Sequence, residues 1–405
     1  MCVVDAGFCG TAPFSHTSHE PRPAPRTGYG CRVRLAVVAE QLLAAVPGGT
    51  GRYTAGLVGG LLRTSAPDDS VSGWAAWHLD VTRVRSAVSE VHRLPLGRRA
   101  LAAAWARGLG PVPRGELLHA PTPLMPPRRS RPVVVTVHDA VPWTHPETLT
   151  PHGVRWHRRM VGLAVRHADA ITVPSAVVAA QLATVFPELD ADRLHVLGAG
   201  VAPELLAEPD ADRTAETRER LRLPQEYLVT VATLEPRKGL DVLIQALATL
   251  GSDAPTLVVV GQPGWGRVDL RATAAQAGLR PDLLQPVGRV SDADLGVVLR
   301  GAAALIAPSR AEGFGLPLAE AMALGVPVVC SDLPVFAEVA GEAALAVPVG
   351  DAEALASAIE VIGADAGLRD RLAGEGRMRA KAFDWDAVGR RGWALYRAVL
   401  DAARG

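Results

Sequence analysis

Lysine is nearly absent: of 42 basic residues only Lys238 and Lys381 are not Arg. Cysteine is scarce too, with Cys2, Cys9 and Cys31 near the start and Cys330 at the end of an apolar run. Cysteines so placed build no disulfide framework, and the chain reads as a reduced cytosolic one. Cys2 and Cys9, with His16 and His19 nearby, lack the spacing of a zinc site. No apolar stretch approaches the roughly 18 uncharged residues of a membrane span. The first 31 residues lack a basic start followed by an apolar segment, which argues against a secretory signal. Rich in Pro, Gly and His, they are expected to form a disordered leader.

What is present fits a large α/β protein. The 405 residues exceed one ordinary core, so two domains are expected, and 48% apolar residues give each half an interior to bury. The formal charge is zero but unevenly spread. Through Val201 there are 21 Arg against 14 acidic residues, and beyond it 21 basic against 28 acidic. The halves are therefore expected to meet different partners; no nucleic-acid partner is expected.

Short runs rich in Val, Ile and Leu alternate with helical patterns. In the first half, strands are expected at residues 32–39, 132–137, 170–173 and 195–197, with a helix over 52–62 and another capped by Ser175. In the second, strands are expected at 227–233, 256–260, 303–307 and 326–330, with a helix over 240–250. A polar segment, Pro203 to Pro224, joins the two sets. The alternation predicts two doubly wound parallel sheets, with ligands beyond the carboxyl ends of the strands in a cleft between them.

The strongest motif is Ala307-Pro-Ser-Arg-Ala-Glu312-Gly-Phe-Gly-Leu-Pro-Leu-Ala-Glu320. A strand runs into a small-residue loop, and Pro317 suits the first turn of a helix. Gly313 and Gly315 allow close approach of a ligand to the main chain, and free amides at a helix start suit an anion. Glu312 and Glu320 can accept hydrogen bonds from two parts of one sugar-bearing ligand, or act as acids that favour the helix dipole. In Thr233-Leu-Glu-Pro-Arg237-Lys238-Gly239, two cations at a strand's carboxyl end can hold a diphosphate. A lysine here, in so arginine-rich a chain, points to a compact ammonium.

Four weaker signals follow. Pro47-Gly48-Gly49-Thr50-Gly51-Arg52 reads as a glycine-rich turn that lacks the spacing of a nicotinamide site. His138 closes a strand and should project into the cleft; His119 could line it as well. The Asp-Ala-Asp triplets at Asp190/Asp192, Asp210/Asp212 and Asp292/Asp294 follow no buried strand and read as linkers or, with Ser291, a helix start, so no metal site is expected. A helix near Val154 to His167 carries Arg155, Arg158, Arg159 and Arg166 beside Trp156, Met160, Leu163 and Val165, a pattern open to peripheral membrane contact or to ordinary one-sided packing.

The Glu312-x7-Glu320 segment after strand and Pro-Ser resembles the signature of the retaining GT-B glycosyltransferases of family 4, and the likeness runs from about Arg32 to Arg404. The resemblance implies a donor sugar held by Glu312 and the backbone of Gly313, Phe314, Gly315 and Leu316, and a ribose held by Glu320. It implies a diphosphate clamp of Arg237 and Lys238, a loop with Gly49 and Gly51 bordering donor phosphates and acceptor, and His138 near the reacting sugar. Residues 32–202 would then be the acceptor-side domain and 203–384 the nucleotide-sugar domain, with 203–224 as linker and 385–405 as a helix returning to the first domain. It implies a metal-independent hexosyltransferase of the cytoplasm or the inner membrane face, with no cofactor beyond a nucleotide-sugar co-substrate, acting on a glycan or lipid-linked acceptor. Residues around His138-Asp139 and Gly261 to Trp265 lean toward GDP-mannose. An epimerase or phosphorylase of the same fold, or an inactive sugar-nucleotide-binding partner, are the alternatives.

Overall fold

The computed structural model describes residues 32–266 and 268–404, so the expected leader with Cys2, Cys9, His16 and His19 lies outside the described residues. Among the described residues thirteen strands form two sheets in which all the paired neighbours run parallel. The first contains β1 (Arg34–Val38), β2 (Ser70–Ala75), β3 (Glu90–Arg93), β4 (Leu117–Ala120), β5 (Val133–Thr136), β6 (Ala170–Val173) and β7 (Leu194–Val196) in the order β3-β2-β1-β4-β5-β6-β7. The second contains β8 (Leu228–Val231), β9 (Leu257–Val260), β10 (Leu284–Gly288), β11 (Ala304–Ala307), β12 (Val328–Ser331) and β13 (Leu345–Val347) in the order β10-β9-β8-β11-β12-β13. The fold is thus two Rossmann-like α/β sheets, and in each the winding reverses once, between β1 and β4 and between β8 and β11.

The central strands are continuous apolar runs because both faces are covered. In β1, Leu35 and Val37 enter one core cluster while Ala36 and Val38 enter the other. In β9, Leu257 and Val259 face one core and Val258 and Val260 the opposite one. Each Leu or Val among them contributes about 1.5–3 kcal/mol on burial.

Eight helices matter for the site: α1 (Gly48–Arg63), α2 (Pro151–His167), α3 (Ala176–Val185), α4 (Leu240–Leu250), α5 (Asp292–Arg300), α6 (Leu316–Ala323), α7 (Pro334–Ala340) and α8 (Trp385–Ala402). The last, α8, packs along α1. Trp393 Nε1 donates to the Leu61 carbonyl at 2.9 Å, and Arg63 meets Asp386 at 2.6 Å. The crossing is close because α1 is glycine-rich where they touch: a Cβ at Gly60 would lie 2.0 Å from the Trp385 carbonyl oxygen.

Two segments differ from the sequence expectation. The polar segment from Pro203 to Pro224 is largely helical, at Pro203–Leu206 and Ala211–Leu221. Leu205 is fully buried in the second core, and Asp210 accepts a hydrogen bond from the Arg213 amide as the cap of the second helix. Helix α1 begins at Gly48 rather than Arg52, so the expected glycine turn is the first turn of a helix.

Candidate functional site

The loops that leave β8 and β11 meet where the second sheet reverses, the place where this architecture leaves a crevice. They are knitted by the backbone: the Arg310 amide donates to the Arg237 carbonyl at 2.8 Å. Arg237 and Lys238 from one loop converge on Glu312 from the other. Arg237 Nη1 lies 2.8 Å from Glu312 Oε2, and Lys238 Nζ 2.5 Å from Oε1, which also accepts from Ser309 Oγ at 2.9 Å. Glu235, which sequence reasoning passed over, takes the other face of Arg237 at 2.7 Å.

This cluster sets the charge state of its members. Burial alone would raise the Glu312 carboxyl, but the Lys238 ammonium and the Arg237 guanidinium outweigh it and hold the group at about 2. Burial disfavours the Arg237 cation, yet Glu312, Glu235 and Asp139 raise its affinity for the proton overall. The Glu312 carboxylate and the Arg237 guanidinium therefore stay charged at neutral pH, and the cations are shared with carboxylates.

The turn from Gly313 to Leu316 follows. Gly313 presses its main chain against the first sheet's half: a Cβ there would lie 1.8 Å from the His138 carbonyl oxygen. Gly315 has φ +97°, a left-handed conformation, and caps α6, which has no side-chain cap of its own. The first amides of α6 are thus left to backbone or ligand acceptors. Phe314 packs its ring edge-on against Phe383, with centroids 5.5 Å apart, and Leu316 is partly buried against the first sheet's core.

Glu320 stands apart from this cluster. It is 2% exposed, and its partner comes from α1: Arg52 Nη1 lies 2.6 Å from Oε1. Arg52 Nη2 lies 3.0 Å from Asp292 Oδ1 at the start of α5. Burial raises the Glu320 carboxyl, and the Arg52 cation opposes that shift. Sequence reasoning placed Arg52 beside the glycine turn without a role. One helical turn from α1's start, facing the cleft, it is among the charges that span the two sheets.

His138, just beyond β5, is half-buried, and its ring meets the Tyr53 ring edge-on with centroids 4.7 Å apart. Its Nε2 lies 2.7 Å from the Pro121 carbonyl oxygen, which can only accept, so Nε2 carries the hydrogen and Nδ1 keeps the lone pair. Burial lowers its pKa, only partly offset by Pro121 and Asp139, so the ring is neutral at pH 7. Gly49 is exposed with nothing within 4 Å of an added Cβ, whereas Gly51 is buried where a Cβ would lie 2.4 Å from Pro47 Cβ. Gly51 thus answers to local packing. Gly48, one residue before Gly49, faces the loop after β8, 3.7 Å from Thr233 Oγ1 as measured from an added Cβ.

His119 does not line the cleft. It is fully buried in β4, with Nδ1 2.7 Å from Tyr396 Oη of α8 and Nε2 2.9 Å from Thr136 Oγ1. Burial, with His138 nearby, pushes its pKa down to about 3. The neutral ring is a structural link between α8 and the sheet.

Two more contacts join the halves. Ser175, which caps α3 as the sequence pattern predicts, donates to the Gly313 carbonyl at 2.8 Å. Glu338 of α7 accepts from the Ala176 and Val177 amides at 2.7 and 2.8 Å, adding a carboxylate to the positive end of α3. No sequence signal pointed to Glu338, whose partner lies 162 positions away.

The Asp-Ala-Asp triplets have partners within the protein: Asp190 and Asp210 cap helices, Asp292 faces Arg52 from the other half, and Asp294 faces Arg213 and Arg220. Among the described residues no three His, Cys, Asp or Glu side chains gather as a metal site would require. In α2 the apolar residues Met160, Leu163 and Val165 pack into the first core while the four arginines are exposed. Among the described residues no helix is long and apolar enough to cross a membrane.

Comparison with known proteins agrees with this geometry. Residues 47–205 match the family described as Glycosyltransferase Family 4, and residues 212–379 match Glycosyl transferases group 1. O-antigen chain mannosyltransferase B of Escherichia coli is 29% identical over 273 residues, 67% of this chain and 71% of the relative. Phosphatidyl-myo-inositol mannosyltransferase of Mycobacterium leprae is 31% identical over 288 residues, 66% of this chain and 67% of the relative. Among solved structures, sucrose-phosphate synthase of Thermosynechococcus elongatus superposes with a TM-score of 0.69 at 22% identity, covering 91% of this chain and 99% of that one, a likeness of fold.

Proposed function

Because this chain belongs to glycosyltransferase family 4 and is a hexosyltransferase of the GT-B fold, we propose that it moves a hexose from a nucleoside-diphosphate sugar to a saccharide or lipid-linked acceptor, with retention and without a metal. The observation that carries this reading is the convergence of Arg237, Lys238 and Glu312 at the reversal point of the second sheet.

A diphosphate entering this crevice meets two cations held by a carboxylate. The phosphate oxygens take over Arg237 and Lys238, and the freed Glu312 accepts hydrogen bonds from sugar hydroxyls beside the Gly313–Leu316 backbone. The bond between the anomeric carbon and the phosphate oxygen breaks, and its electron pair stays on the diphosphate. Arg237, Lys238 and the first amides of α6 stabilise that charge as it develops. The acceptor oxygen bonds to the carbon from the same face, and its proton passes to the released diphosphate. His138, neutral and half-buried against Tyr53, borders the sugar from the opposite half, and Gly49 leaves the first amides of α1 open to the phosphates.

GDP-mannose is the donor favoured here, supported by the mannosyltransferase names of two relatives and by the residues around His138. The basic half of the chain, with exposed Arg155 and Arg166 on α2, suits an anionic membrane face where lipid-linked acceptors reside. The test is a transfer assay with GDP-mannose, GDP-glucose, UDP-glucose and ADP-glucose, with and without EDTA. The reading requires a donor-dependent product of retained configuration whose rate is indifferent to EDTA; inversion, or activity lost to EDTA and restored by a divalent ion, would refute it.

A further inference from the structure

Glu320 carries an oxygen that the protein itself leaves without a partner. Its Oε1 is taken by Arg52 at 2.6 Å, while Oε2, shielded from water, has no hydrogen-bond donor. A buried carboxylate oxygen is costly to leave unpaired, so a donor supplied by a ligand is the expected complement. The second nitrogen of Arg52 leans on Asp292, and the charged groups facing Glu320 are these two, from α1 and α5. The arginine comes from the first half of the molecule, the carboxylate from the second.

We propose that Arg52 is a positioning residue that completes the nucleotide's ribose pocket from across the cleft, fixing Glu320 through Oε1 so that Oε2 receives a ribose hydroxyl. This rests on the reading of Glu320 as the ribose acceptor. The charge balance supports it: burial and Asp292 both favour the neutral acid, and Arg52 opposes them. Without the guanidinium, Glu320 protonates at higher pH and becomes a weaker acceptor. The pocket is then whole only when the halves are together, so ribose binding and cleft closure reinforce one another.

The experiment is calorimetric titration of the full chain with GDP and with 2′,3′-dideoxy-GDP from pH 5 to 8, and with the corresponding UDP pair. Taking the ratio of the two affinities cancels the titration of the phosphates themselves. The wild-type chain should bind the ribonucleotide roughly ten- to a hundredfold more tightly than its dideoxy form, as expected for hydrogen bonds to a charged group. Glu320→Gln should lose most of that ratio. Arg52→Met should lose it as pH falls, with a midpoint displaced upward from the wild-type one, and Arg52→Lys should restore the wild-type profile in part. If Arg52→Met keeps the wild-type ratio and pH profile while Glu320→Gln loses the ratio, the proposal is overturned and the reading of Glu320 stands. If Glu320→Gln keeps the ratio, or neither nucleotide binds, the ribose reading itself fails and takes the proposal with it. Circular-dichroism melts of each variant separate these results from unfolding.

Discussion

The main chain of Gly313 lies so close to the carbonyl of His138 that a single methyl group would come within 1.8 Å of its oxygen. This contact joins the donor-side turn to the strand end that presents the cleft histidine, so a methyl group there would force the two halves apart. Backbone cannot retreat as the end of a flexible side chain can.

Gly313→Ala should therefore lower kcat by at least about tenfold, one step of roughly 1.4 kcal/mol in the barrier, while leaving both sheets folded. Steady-state kinetics beside a thermal melt checks this. Wild-type turnover in the alanine variant would show that the close approach is not part of the working state.

Lys238 should be sensitive to its shape as well as its charge. Lys238→Ala should reduce transfer by about a hundred- to a thousandfold, the usual loss when one charge-stabilising donor is removed. Lys238→Arg should recover only part of that loss, because the planar guanidinium must share a crevice already holding Arg237 and Glu312. Initial rates at saturating donor decide between these outcomes.

The acid limb of stability should trace to Glu312. Its carboxyl titrates at about 2 in the fold, below its ordinary value of 4.5. A depressed carboxyl contributes stability above its unfolded pKa and loses that contribution as pH falls from about 4.5 toward about 2. Glu312→Gln should consequently flatten the loss of melting temperature across that window, and an unchanged slope would count against the ion cluster.

His119 gives a contrasting case. Fully buried and bonded to Tyr396 and Thr136, it should act on stability alone. His119→Ala leaves a cavity and takes the imidazole partner from the buried Tyr396 hydroxyl, while Thr136 keeps its bond to Thr172; it should cost about 2–4 kcal/mol, with nucleotide affinity unchanged. Denaturant melts and calorimetric titration measure the two effects separately; a loss of nucleotide affinity without loss of stability would place the histidine in the cleft after all.

Much of the fold was legible in the sequence, and the remainder was hidden for physical reasons. Strands β1, β5, β8, β9, β11 and β12 are apolar on both faces and stand out as continuous runs. Strand β2 does not, since Ser72 and Gly73 interrupt it: a Cβ at Gly73 would lie 2.6 Å from Val88 Cγ1, so packing selects against a larger residue there. Strand β3 is an edge strand of sequence Glu-Val-His-Arg, none of it fully buried. The motif around Glu312 could be read because ligand chemistry concentrates unusual residues in one short stretch. Arg52, Glu235 and Glu338 could not, for each matters through a partner distant in sequence or through a charge that looks like ordinary solvated surface. The same limit let the glycines before Arg52 read as a loop, although they form the first turn of α1.

The most direct test of the central claim is a crystal structure of the chain with GDP or UDP bound. The β-phosphate should lie within hydrogen-bond reach of Arg237 and Lys238, with Glu312 turned from Lys238 toward the sugar's place. A nucleotide diphosphate bound away from these two cations, with their pairing to Glu312 undisturbed, would contradict it.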